Sequence, residues 1–106
     1  MDEIKKILWY LIAGSLGGIN RARIIHLLKE RPYNANQLTE LLDLDYKTVR
    51  YHLDVLEKNG LVSSAGDNYA KMYMLSSTLE YNIGFFDEIW DKVGKTDNKR
   101  GKDRRK

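Results

Sequence analysis

Five hydrogen-bonding or aromatic side chains lie close together and would share the outward face of one helix. They are Tyr46, Lys47, Thr48, Arg50 and Tyr51. The lysine and the arginine can donate to O6 and N7 of guanine, and the threonine can bond a base or touch a thymine methyl. The tyrosines can donate to phosphate oxygens, which positions a duplex without reading it. The stretch therefore has the chemistry of a surface that reads double-stranded DNA.

A solvated helix face without a ligand could carry the same residue types. Asp54 lies four residues from both Arg50 and Lys58, so each cation has an ion-pair partner on its own helix. Such a pair contributes only about 0.2–0.5 kcal/mol, so DNA could compete for the arginine. We therefore favour the DNA-reading interpretation.

Two short helices joined by a tight turn are predicted to position this face. Asn34 predicts the cap of the first helix, because Gln37 three residues later completes a capping box. The buried stripe of that helix is predicted at Leu38, Leu41 and Leu42. Asp45 predicts the cap of the second helix, 46–58, and Gly60 its left-handed end. The buried stripe of the second helix is predicted at Val49, His52, Leu53 and Leu56.

Residues 61–75 predict a β-hairpin directly after the second helix. Its strands are 61–64 and 69–75, and the residues between them tolerate unusual backbone angles. Asn68 in the turn and Lys71 in the second strand are the side chains available to a ligand. The pattern predicts a winged helix-turn-helix, mainly α with a small β-hairpin, in which 46–58 is the recognition helix and the hairpin is the wing.

Three further helices are predicted, at 2–13, 19–31 and 78–93. Asn20 is the expected cap of the middle helix, in which His26 points outward. Ser77 and Glu80 form a capping box that opens the last helix.

The first and last helices carry more apolar surface than a small winged domain needs to cover itself. We expect them to form the interface of a homodimer, the commonest oligomer, in which these helices flank the winged domain. The interface residues are predicted to be Ile4, Leu8, Leu11, Leu79, Ile83, Phe86, Trp90 and Val93. The alternative is that the two helices pack on each other within one monomer.

The distribution of charge divides the chain. Residues 95–106 contain seven basic and two acidic residues, a net charge of +5, so the total of +3 leaves −2 for residues 1–94. We expect one domain, 1–94, and a disordered basic tail, 95–106, which has no apolar side chain to bury. Any DNA-binding face on the domain must then be a local patch.

Absent residue types argue against several functions. The chain has no Cys and two His, so we expect no disulfide framework, no metal and no cofactor. It has no Ser/His/Asp or Cys/His set, which argues against an enzyme. The apolar run within 2–13 is too short for a bilayer, which takes about 20 residues. We expect a cytoplasmic protein without a membrane partner.

The run NANQLTELLDLDYKTVRYHLDVLEKNGLV and the hairpin GDNYAKMYML resemble the arsenic-repressor-like (ArsR-like) winged helix-turn-helix regulators. The resemblance covers residues 19–76 and is strongest to small archaeal members, whose pattern TVxxHLxxLxxxGLV occurs at 48–62. It implies a homodimeric transcription factor with recognition helices in successive major grooves and wings along the backbone. Metal-sensing members use Cys in the recognition helix or His/Asp sets in the last helix. This chain has neither, so the resemblance does not imply that a metal ion releases it from DNA.

The sequence therefore predicts a DNA-binding regulator of transcription, and more specifically a repressor that blocks a promoter, because no second domain is present to recruit other proteins. Two recognition helices about 34 Å apart would read a pseudo-palindrome. The alternative is a winged-helix protein-interaction module of the transcription machinery, which the net charge of −2 on residues 1–94 favours. A weaker alternative is a regulator held at a membrane by its apolar N-terminus.

Overall fold

Six helices and a three-stranded antiparallel sheet make up residues 3–93, the part of the chain that the computed structural model describes. In chain order they are α1 (Glu3–Leu8, continued by a π-helical turn over Trp9–Ala13), α2 (Gly18–Leu28), β1 (Tyr33–Asn34), α3 (Ala35–Leu42), α4 (Tyr46–Lys58), β2 (Val62–Ala65), β3 (Met72–Leu75), α5 (Ser77–Tyr81) and α6 (83–93). This is the predicted winged helix-turn-helix. The predicted tail, 95–106, lies outside the described residues.

The caps of the helix-turn-helix are those that the sequence predicts. The side chain of Asn34 accepts from the backbone N–H of Gln37 at 2.8 Å, and the Gln37 side chain accepts from the Asn34 N–H at 2.9 Å. Gly60 ends α4 with a φ of 74°, a left-handed angle that favours glycine. One prediction in this unit is wrong: Leu41 is 53% exposed, because the buried stripe of α3 runs through Ala35, Leu38 and Leu42 and Leu41 lies to one side of it.

The wing is shorter than predicted, and the sheet has a third strand. Tyr69 lies in a 3-10 turn, Asn68–Ala70, and not in a strand. The left-handed φ of Asn68, 52°, and that of Gly66, 95°, turn the chain out of extended geometry before β3 begins. The unpredicted β1 pairs with β3 through Tyr33 and Tyr73, which gives the order β1-β3-β2. The sheet is thus a hairpin anchored by the segment that enters α3.

The start of α2 differs from the prediction because glycines allow the chain to pass very close to α1. Gly17, with a φ of 82°, precedes the helix, and Asn20 lies inside it. A Cβ on Gly18 would collide with the carbonyl group of Ile12. His26 is also not a solvated outward side chain: its ring stacks on Trp90 with centroids 4.4 Å apart.

The predicted helix 78–93 is divided. Its cap is Ser76, which accepts from the N–H of Leu79 at 3.0 Å, so the predicted Ser77 and Glu80 capping box does not form. Asn82 interrupts the helix, since its side-chain amide donates to the Thr78 carbonyl at 2.9 Å and it separates α5 from α6.

The terminal helices pack against the rest of the chain, and much of their apolar surface is buried there. Four of the predicted interface residues are buried within one chain: Leu8, Leu11, Leu79 and Phe86. The other four are partly exposed: Ile4, Ile83, Trp90 and Val93. A partner could therefore touch only the second group directly, and the homodimer stays a prediction. None of the helices between residues 3 and 93 combines the length and apolarity that crossing a bilayer requires.

Candidate nucleic-acid interface

The N-terminus of α4 is closed by its own cap. The Asp45 carboxylate accepts from the Thr48 backbone N–H at 3.1 Å and from the Thr48 hydroxyl at 2.9 Å. Because the hydroxyl donates its single proton to Asp45, Thr48 can offer a base only an acceptor oxygen or its methyl group. The carboxylate also places a negative charge where a phosphate would otherwise meet free N–H groups.

Lys47 and Tyr51 are predicted contact residues that lie on the open face of α4. Lys47 is exposed and makes no hydrogen bond or ion pair with any residue in the described part of the chain. Tyr51 is exposed as well, and its ring meets the ring of His52 edge-on at 5.3 Å. Both side chains project from the first turns of α4, which is the part of a recognition helix that contacts base edges.

Four of the seven predicted contact residues meet in a cleft between α4 and the wing. The cleft has a volume of about 410 Å³ and is lined by Tyr46, Arg50, Asn68, Tyr69 and Lys71. Tyr69 was missed as a contact residue, although its position next to a Gly-Asp-Asn turn indicates an exposed wing tip. Lys47, Thr48 and Tyr51 do not line the cleft. The predicted residues thus fall into two groups, one on the open helix face and one in the cleft.

Arg50 is held within the cleft by contacts at the limit of their range. Its Nη1 donates to the Tyr46 hydroxyl at 3.4 Å, and its Nη2 lies 4.0 Å from the Asp54 carboxylate. The hydrogen bond to Tyr46 raises the pKa of Arg50 above its ordinary value, and the Tyr73 phenol adds to this. Burial raises the pKa of the Tyr73 phenol, while the positive charge of Arg50 opposes that increase. Arg50 is therefore a permanent cation with donors to spare.

The wing has a fixed orientation relative to α4. The Ser64 hydroxyl on β2 donates to the Glu57 carboxylate on α4 at 2.7 Å. At the base of the hairpin, the Ser76 hydroxyl donates to the Gly60 carbonyl at 2.7 Å. Lys71 lies over the Tyr73 ring, with Nζ 5.8 Å from the ring centroid. The cations of helix and wing are therefore set side by side before any ligand arrives.

A buried arginine connects α4 to the N-terminal part of the chain. Arg21 is 3% exposed, and its guanidinium donates to the Leu11 carbonyl at 3.0 Å, the Leu16 carbonyl at 2.8 Å and the Ser15 hydroxyl at 2.7 Å. Its Nη1 also lies 3.2 Å from Nδ1 of His52 on α4. The cation sits at the C-terminal end of the π-helical turn, where the carbonyls carry partial negative charge.

The contact with Arg21 determines the protonation state of His52. Because the guanidinium can only donate, Nδ1 of His52 must accept, which requires a neutral ring with its proton on Nε2. Burial lowers the pKa of His52, and the positive charge of Arg21 lowers it further. The sequence predicted His52 in the core but not its partner. Arg21 precedes Ile24, Ile25 and Leu28 by three, four and seven residues, and this spacing could have placed it on the buried face of α2.

No cluster of three or more His, Cys, Asp or Glu side chains that could hold a metal ion occurs within residues 3–93. The described donors of the interface are instead cationic, amide or hydroxyl groups, which suit an anionic partner.

Comparisons with known proteins agree with this fold. Residues 20–64 match the model of the family described as bacterial regulatory protein, arsR family, a match that covers less than half of the 106 residues. No curated protein matches the sequence significantly.

Several solved structures share the fold at low sequence identity. The transcriptional regulator HlyU from Vibrio vulnificus CMCP6 is 19% identical, with a TM-score of 0.61 over 82% of this chain and 88% of that one. Diamide-treated YodB from B. subtilis is 21% identical, with a TM-score of 0.63 over 87% and 93% of the two chains. The adhesin competence repressor AdcR from Streptococcus pyogenes is 15% identical, with a TM-score of 0.61 over 91% and 73%. The chain thus has a winged helix-turn-helix fold, and its residues 20–64 are similar to the helix-turn-helix domain of the arsR family.

Proposed function

We propose that this protein is a sequence-specific regulator of transcription that binds double-stranded DNA as a homodimer, with α4 in the major groove and the wing against the backbone. The observation that carries the proposal is the pairing of an exposed donor face on α4, at Lys47 and Tyr51, with a cationic cleft against the wing. The arsR-family match over residues 20–64 supports the same function. Such a regulator acts in the cytoplasm, where the DNA is accessible.

The finer parts of the proposal are repression and kinship to small archaeal members. The repressor role is supported by the similar fold of AdcR, which is described as a repressor, and by the ability of a bound dimer to occlude a promoter. The archaeal kinship is supported by the pattern TVxxHLxxLxxxGLV at 48–62.

Selection of duplexes from a random library with the full chain tests sequence-specific binding. We expect enrichment of a pseudo-palindrome whose half-sites lie about one helical turn apart. Lys47→Ala should then relax the preference at one base pair of each half-site, at a cost of about 1–3 kcal/mol in binding to the selected duplex. Lys58→Ala removes another exposed lysine, from the other end of α4, and should leave every base preference intact.

A salt series separates reading by the helix from attraction by the tail. A chain ending at Gly94 should keep the selected sequence but show a shallower dependence of affinity on salt, because fewer counterions are released. Complete loss of binding on truncation, with no effect of Lys47→Ala, would show that the tail alone binds DNA.

The second candidate function is a protein-interaction module, which the net charge of −2 on residues 1–94 favours. That function predicts no enriched duplex at any salt concentration. The selection experiment therefore decides between the two.

A further inference from the structure

The cleft between α4 and the wing is built for an anion. Its five lining residues are Tyr46, Arg50, Asn68, Tyr69 and Lys71, each of which carries a hydrogen-bond donor. Two of them are cations, and none is a carboxylate. The volume of the cleft, about 410 Å³, is large enough to hold a single phosphate group.

Arg50 has unused donors inside this cleft. Its Nε is buried and has no hydrogen-bond partner among residues 3–93. Its two other contacts, 3.4 Å to Tyr46 and 4.0 Å to Asp54, are both too long to be strong. Buried polar atoms almost always have a partner, so this N–H is a donor available to a ligand in the cleft, into which the 40% exposed side chain opens. The planar guanidinium matches a phosphate, which can accept two parallel N–H bonds from it.

The Arg50 side chain also lies in the cleft and not on the open face of the helix. Its 3.4 Å contact with the Tyr46 hydroxyl holds the guanidinium along α4, where it lines the cleft together with wing residues, whereas Lys47 is exposed and does not line the cleft. Lys71, which precedes β3 and is not in the strand as predicted, lines the same cleft from the wing, and the Ser64–Glu57 hydrogen bond joins the wing to α4. Two cations, one from α4 and one from the wing, therefore line the same cleft.

We propose that this cleft binds one backbone phosphate of the DNA, with Arg50 and Lys71 as its ligands and Tyr46 as the residue that positions Arg50. The assignment rests on the proposed function and gives Arg50 a different role from the base contact that the sequence predicts. A phosphate held between helix and wing fixes the register of the duplex, so that Lys47 meets a defined base pair. On binding, Arg50 would lose its long contact with Asp54 and donate to the phosphate instead.

The test uses the selected duplex with one phosphate at a time replaced by a neutral methylphosphonate. For the full chain, we expect one position in each half-site where the replacement weakens binding about ten-fold, the typical cost of one strong charged contact. Arg50→Ala should weaken binding to the unmodified duplex by a similar factor, lower the salt slope by about 0.9 per half-site, and abolish the penalty at that position alone. Lys71→Ala should affect the same position.

Base preferences provide the opposing readout. Arg50→Ala should leave the preference at every base pair unchanged, whereas Lys47→Ala should relax one and keep the methylphosphonate penalty. Tyr46→Phe keeps the ring but removes the hydroxyl that orients Arg50, and should reduce the penalty without abolishing it. Thermal unfolding of each variant shows whether the fold is intact, and Arg50→Gln replaces Arg50→Ala if the alanine variant unfolds.

Each contrary result overturns a defined part of the assignment. If Arg50→Ala relaxes a base preference and keeps every phosphate penalty, Arg50 is a base reader. If calorimetry shows inorganic phosphate bound to the DNA-free chain through Arg50, while no penalty in the duplex depends on Arg50, the ligand is a free anion and not the backbone. Failure to enrich any duplex refutes the proposed function and this assignment together, whereas enrichment without a shared phosphate refutes only the assignment.

Discussion

At the scale of single residues, the least expected feature is a buried arginine that holds a recognition-helix histidine in its neutral form. Arg21 satisfies carbonyls at the end of the π-helical turn, and in doing so it places a positive charge 3.2 Å from His52. Protonation of His52 would place a second positive charge beside Arg21 and remove the acceptor that faces its guanidinium. Two other neighbours of the His52 ring, Tyr51 at its edge and Gly17, carry no charge that could compensate.

The lowered pKa of His52 predicts a loss of stability in acid. Between the ordinary histidine pKa of 6.5 and the lower pKa in the folded protein, the unfolded chain binds a proton and the folded chain does not. The free energy of unfolding therefore decreases as the pH falls through this window, and this contribution is fully present only above pH 6.5. Urea unfolding at a series of pH values measures it.

The matched variants for this prediction are His52→Asn and His26→Asn. The first keeps an acceptor for Arg21 but cannot be protonated, so the acid-dependent loss should shrink. The second removes the other histidine of the chain and leaves the Arg21 contact untouched. An identical pH dependence in the wild type and His52→Asn would show that His52 does not control it.

At the scale of elements, the sequence predicts those parts whose local signals act alone. The capping box at Asn34, the cap at Asp45 and the helix end at Gly60 involve residues at most three positions apart, and all three are confirmed. One local signal fails, because Ser76 caps α5 in place of the predicted Ser77 and Glu80 box. Other errors occur where a distant contact decides. Arg21 and His52 are 31 residues apart, and β1 exists only because β3 pairs with it.

The same reasoning explains the outcome at the interface. Periodicity on α4 predicts which side chains face outward, but it cannot predict that Arg50 turns towards Tyr46 or that the wing encloses it. It also places Leu41 of α3 on the buried stripe, whereas that stripe runs through Ala35, Leu38 and Leu42 and leaves Leu41 exposed. The division between a helix face and a cleft depends on how the wing folds back, and only the structure contains that information.

The cap of α3 provides a direct test of the local signals. Asn34→Ala removes the side-chain acceptor for the Gln37 N–H and keeps the backbone N–H that donates to the Gln37 side chain, so we expect a loss of about 1 kcal/mol in the free energy of unfolding. Asn36→Ala alters an exposed asparagine in the same turn and should change stability by less than about 0.5 kcal/mol. Equal effects of the two substitutions in denaturant unfolding would contradict the role of the cap.

At the scale of the whole molecule, the terminal helices close the core of one chain, and we also expect them to form the dimer interface. Part of their apolar surface closes the core of a single chain, with the buried Phe86 and the stacked rings of His26 and Trp90 joining α6 to α2. The Lys29–Asp87 ion pair, at 2.7 Å, joins the same two helices. Packing within one monomer therefore accounts for part of the predicted dimer interface. It leaves Ile4 and Ile83 partly exposed.

We predict that these exposed residues hold two copies of the chain together. Ile4→Glu places a charge on the partly exposed face of α1, and we expect it to convert a dimer to a monomer in sedimentation at micromolar concentration, because a charge at the centre of an apolar interface is left unpaired. The unfolding midpoint of the wild type should rise with protein concentration, and that of Ile4→Glu should not. Leu41→Glu introduces the same charge on the exposed side of α3 and should leave the dimer intact.

If the wild type sediments as a monomer and its unfolding midpoint does not depend on protein concentration, the homodimer is refuted. A substitution at Leu8 or Phe86 could not decide the question, because these residues are buried within each chain and their replacement would unfold it.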